Sequence, residues 1–148
     1  QPDLIQRKLF TVHFHLYAAP GYIQRFGAPK SMNDLDGHRI ITFGEQAPPY
    51  LRDMNWLETA GLPLGETRRC VLRINNVVAI KRAVQRGIGI AILPDYINED
   101  GSGLVQLMPE AEVPSFDTYF VYPSELKNTA RIAVFRDFLL SKAERWTF

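Results

Sequence analysis

Apolar and polar residues alternate strictly from Phe10 to Tyr17: Phe10, Val12, Phe14 and Leu16 fall on one face, with Thr11, His13, His15 and Tyr17 on the other. Over Leu9–Tyr17 that period of two predicts one continuous β-strand with a buried side and a polar side. The pattern then changes. Pro20 to Phe26 reads as a short helix with proline in its first turn and Gly27 at its end, and Ser31 with Asp34 opens another that Gly37 closes. Arg39 to Phe43 is the next strand, stopped at Gly44. Pro48 and Pro49 can start a helix with Leu51, Met54, Leu57 and Ala60 as its buried stripe and Gly61 as its stop.

The densest signal lies between Cys70 and Pro94. Cys70–Ile74 is β-rich and ends at Asn75 and Asn76, whose side-chain oxygens accept from the free amides of a first helical turn. From there Val77, Ile80, Val84 and Ile88 recur three to four apart, while Lys81, Arg82, Gln85 and Arg86 cover the other side. Gly87 suits the left-handed position after a helix, and Ile88 to Leu93 is a continuous apolar run stopped by Pro94. Strand, capped helix and central parallel strand make a crossover unit, expected to be right-handed and to join neighbouring strands. Beyond it, Leu104–Leu107 reads as an edge strand and Phe116–Tyr122 as a strand ended by Pro123. Asn128 or Thr129 caps a last helix with Ile132, Phe135, Phe138, Leu139 and Trp146 on its apolar face. Alternating strands and helices give an α/β class.

Composition narrows the function. The 148 residues are 46% hydrophobic and 22% charged, as in an ordinary globular domain, and the net charge of +1 offers no electrostatic footprint for nucleic acid. No apolar run is long enough to span a bilayer. The single cysteine, Cys70, excludes an internal disulfide and a cysteine-based metal cluster, and reads as a core thiol. The chain starts at Gln1-Pro2-Asp3 without methionine or an apolar leader, so a processed or excised piece is expected.

Candidate chemistry follows from geometry. In open α/β sheets, ligands collect outside the carboxyl ends of strands, where helix N-termini present free amides. Asn75, Asn76 and Val77 stand at such an end, with Thr42 and Phe43 ending the preceding strand. These are the expected pocket floor and side wall. His13 and His15, two apart on the predicted strand, share a face and are expected to contact a ligand there. With no third ligand beside them, a metal site is not expected. Gly87-Ile88-Gly89 follows a helix instead of preceding one and lacks a third glycine, so it is not a dinucleotide fingerprint. Arg68 and Arg69 read as a solvated loop pair. No nucleophile elbow or assignable acid–base pair supports an enzyme, and no cofactor is called for.

Several stretches carry a resemblance: Leu16-Tyr17-Ala18-Ala19-Pro20-Gly21-Tyr22-Ile23, Leu35-Asp36-Gly37-His38-Arg39-Ile40, Asn76 through Ala91-Ile92-Leu93-Pro94, Gly103-Leu104-Val105, and Ala133-Val134-Phe135-Arg136-Asp137-Phe138-Leu139. In order and spacing the chain resembles the effector-binding domain of LysR-type transcriptional regulators, with a type 2 periplasmic-binding-protein fold. The resemblance implies two α/β lobes joined by crossing strands, with a small-molecule effector between them. Residues 1–17 would be a hinge strand and a remnant of lobe one, 18–117 lobe two, and 118–148 the return hinge strand with a C-terminal helix packing on lobe one. It also implies a cytoplasmic homo-oligomer, with DNA contacted only through a helix-turn-helix that would precede Gln1. The piece alone is expected neither to bind DNA nor to hold effector tightly. A secreted solute-binding protein of the same fold is the alternative.

Overall fold

Elements follow one another as β1 (Leu4–Val12), β2 (Phe14–Ala18), α1 (Pro20–Phe26), a 3-10 turn (Asn33–Gly37), β3 (Ile40–Thr42), α2 (Trp56–Thr59), β4 (Cys70–Arg73), α3 (Val77–Gln85), β5 (Ala91–Pro94), β6 (Val105–Leu107), β7 (Phe116–Pro123) and α4 (Ala130–Ala143). The computed structural model describes residues 3–44, 53–98 and 101–146. The predicted helix start at Pro48, Pro49 and Leu51 lies outside them. The chain divides into two units, one of Gln1–His13 with Ser115–Phe148 and one of Phe14–Pro114.

That division corrects the single strand expected over Leu9–Tyr17. His13 lies in neither β1 nor β2 and is exposed. β1 pairs antiparallel with β7, whereas β2 pairs with β5 and β6. Alternation runs through the break because it records which face is buried, not which strand is the partner.

In the larger unit, β2 lies between β5 and β6, antiparallel to both. β3 and β4 run parallel, and β3 also bridges Ile90 in parallel through Ile40. β3 therefore stands between β4 and β5, so the crossover through α3 skips a strand instead of joining neighbours. β5 is fully buried, but its ladder partner β2 is antiparallel, so its surroundings are mixed where a parallel strand was expected. Gly89 permits the approach to β3: a Cβ there would sit 2.5 Å from the Arg39 carbonyl oxygen. Leu16, Tyr22, Leu35, Ile40, Leu57, Val84, Ile90 and Leu93 form the core. In α3 the buried residues are Ile80, Ala83 and Val84; Ile88, beyond the left-handed Gly87, is exposed instead of continuing the stripe.

Arg68 is a second correction. Far from being solvated, it is buried, with Nε on Asp36 at 2.7 Å and its guanidinium donating to the carbonyls of Leu57 (3.0 Å) and Met32 (3.1 Å). Burying a guanidinium is tolerable only when its donors are matched in this way.

In the smaller unit, the β1–β7 register shifts between Lys8 and Phe10, leaving Leu9 as the extra residue of a bulge. Thr11 Oγ1 and Lys8 Nζ both hold the Asp117 carboxylate, at 2.7 and 3.0 Å. Phe120 meets Phe135 of α4 edge-on at 5.6 Å, and Phe10 meets Trp146 at 5.5 Å. The apolar face predicted for α4 is only partly covered, since Phe135 and Phe138 are each about half exposed and Val134 more so.

Candidate functional site

The carboxyl ends of β3 and β4 meet side by side. Ile74 N–H donates to the Thr42 carbonyl at 3.0 Å, carrying the parallel ladder one residue past β4. Past this point Gly44 comes up against the Asn75 side chain so closely that any Cβ would overlap its amide group. Two sequence-predicted segments, Thr42–Gly44 and Asn75–Val77, are thereby brought to one edge.

Asn76 is the N-cap of α3: its backbone is extended, and its Oδ1 accepts from Ala79 N–H at 3.0 Å. The amides of Val77 and Val78 remain outside the helix ladder at the positive end of the dipole. Asn75 and Asn76 are exposed and Val77 is half-buried.

Thr42 and Phe43 are less available than a side wall requires. Both are buried, and the Thr42 hydroxyl donates to Glu58 Oε1 at 2.8 Å. The same carboxylate oxygen lies 2.7 Å from an Arg73 guanidinium nitrogen and 3.5 Å from Cys70 Sγ. This Thr42–Glu58–Arg73 cluster braces the strand ends from behind. Burial pushes the Cys70 thiol pKa up, which keeps it protonated and unreactive.

His13 falls in the smaller unit and His15 in the larger. His15 Nδ1 lies 2.8 and 2.9 Å from the two oxygens of Asp95, just after β5, and the Tyr17 hydroxyl donates to Asp95 at 2.9 Å. Burial, followed by that carboxylate, pushes the Tyr17 hydroxyl up to about 12. Asp95, Glu58 and Arg73 were not found from sequence. Each acts through a partner distant along the chain, and periodicity carries no trace of such pairs. Among the described residues, no group of three or more His, Cys, Asp or Glu side chains is placed to hold a metal, and no helix is long and apolar enough to cross a membrane.

Comparison with known proteins bears on the family of the chain. The family profile described as the LysR substrate binding domain matches residues 1–144. The chain is 28% identical over 130 residues, 82% of its length, to an uncharacterised HTH-type transcriptional regulator of Haemophilus influenzae, covering 42% of that protein. It is 29% identical over 140 residues, 92% of its length, to the HTH-type transcriptional regulator CrgA of Neisseria meningitidis, covering 46%. The chain thus spans less than half the length of these curated relatives. The solved structure of the CrgA regulatory domain from Neisseria meningitidis superposes with a TM-score of 0.73 at 26% identity, over 95% of this chain and 69% of that one.

Proposed function

Because the chain belongs to the LysR substrate-binding domain family, we propose that the Gly44–Asn75–Asn76 edge supplies one wall of a small-molecule effector site in a transcriptional regulator. The family is one of regulators, not enzymes. In this reading Asn75, Asn76 and the free amides of Val77 and Val78 receive polar groups of the effector. Thr42 and Phe43 shape the edge from beneath, and His15 acts with Asp95 beside it.

The observation that carries the proposal is the convergence of an open, capped helix N-terminus with a strand end cleared of side chain at Gly44. Residues 14–114 act as the second of two lobes that close on effector in the intact regulator, with residues 1–13 and 115–148 supplying hinge strands and the C-terminal helix. The exposed Val134, Phe135 and Phe138 of α4 then pack on the remainder of lobe one. Closure changes the geometry of a cytoplasmic homo-oligomer whose helix-turn-helix domains, outside this chain, hold DNA. A transporter-linked solute-binding role gives way to the regulator family.

The test is an effector screen in the intact regulator, with small organic acids, amino acids and sugars scored by a reporter gene. A hit whose response is weakened by Asn75→Ala or Asn76→Ala supports the site. A hit that acts undiminished on both variants contradicts it.

A further inference from the structure

A second concavity of the larger unit gathers positive charge. The end of α1, the residue preceding β3 and the end of α3 enclose a cavity of about 270 Å³ lined by Arg25, Phe26, Arg39, Arg86, Gly87 and Ile88. Three of these six are arginines and none is acidic. None of the three forms an ion pair among the described residues. In a chain whose net charge is only +1, that is a local concentration of like charge.

Two of the three side chains are held in place. Arg39 Nε donates to the Ile88 carbonyl at 2.8 Å, which restrains the guanidinium plane beside the cavity that Arg39 lines. The Arg25 guanidinium lies over the Phe26 ring, 5.1 Å from its centroid. Arg86 is the C-cap of α3. Arg25 and Arg86 are each favoured locally, because both stand at the negative end of a helix. Arg39 is held by the Ile88 carbonyl, but none of these contacts gives a reason for three cations to converge where no carboxylate separates them. Guanidinium forks match the oxygens of a tetrahedral anion, and a dianion offsets their mutual repulsion.

We propose that this cavity is a binding site for a phosphate dianion, either free inorganic phosphate or the terminal phosphate of a small phosphomonoester. It lies at the amino end of β3, opposite the strand end that carries Thr42 and Gly44, so it is separate from the effector edge. Binding follows the second ionisation of the phosphate and strengthens as pH rises through about 6.

The experiment is titration of the chain with inorganic phosphate and, separately, with methyl phosphate, followed by amide chemical shifts and calorimetry. Saturable shifts at Arg39, Gly87 and Ile88 are expected. Arg25→Gln and Arg86→Gln, both at exposed positions and each checked for an intact fold by its amide spectrum, should each weaken binding about tenfold, while Arg131→Gln on α4 changes nothing. Binding of both probes identifies a phosphomonoester site, and binding of inorganic phosphate alone a free-phosphate site. Non-saturable shifts, shifts centred on Asn75–Val78, or affinity unchanged in both glutamine variants would overturn the proposal.

Discussion

Gly44 and Asn75 occupy the same corner: the space a Cβ at Gly44 would need is filled by the Asn75 amide. The obstacle is the end of a short, exposed side chain, so it can move aside. Gly44→Ala is therefore expected to cost under about 1 kcal/mol of stability while displacing Asn75 from the edge. Unfolding curves and effector response in the intact regulator, measured on the same variant, check this together. The expected outcome is a nearly unchanged midpoint with a weakened response.

Gly89 is the contrasting case. A Cβ there meets the Arg39 backbone carbonyl at 2.5 Å, and backbone held between β4 and β5 has no room to give. Gly89→Ala should destabilise the chain by about 1–3 kcal/mol, as overpacking does. Urea denaturation reads this directly, and a loss larger than that of Gly44→Ala is the expected order.

The capping bond from Ala79 N–H to Asn76 has its own cost. Asn76→Ala should lower stability by about 1 kcal/mol, and Asn76→Asp should retain most of it. Denaturant midpoints of the two variants check the difference.

Stability should also fall at high pH through Tyr17. Its folded pKa is raised to about 12 from an ordinary value of 10.0, so the stabilising difference is complete below 10. Between 10 and 12 the unfolded chain releases this proton while the folded chain retains it, and stability declines across that window. Tyr17→Phe should remove this part of the decline, as followed by unfolding curves at stepped pH.

Much of this fold was legible locally. Pro20 at the start of α1 and left-handed Gly27 at its end set the predicted bounds, and Asn76 with Gly87 did the same for α3. What escaped was pairing. Nothing in the period-two pattern of Leu9–Tyr17 indicates that the strand changes partners at His13. Nothing local places β3 between β4 and β5. The site divided in the same way: Asn75 and Asn76 announce a helix start by residue type, but the turn of Thr42 toward Glu58 depends on a contact sixteen residues along the chain. Arg68 looked like an ordinary loop arginine because its acceptors are two carbonyls and a carboxylate that only the fold assembles.

The most direct measurement is amide chemical-shift mapping of the chain during titration with a small molecule that alters the activity of the intact regulator. The account predicts shifts concentrated at Gly44 and at Asn75 through Val78. Shifts confined to other surfaces, such as Ala130–Phe138 of α4, with this edge silent at saturation, would contradict it.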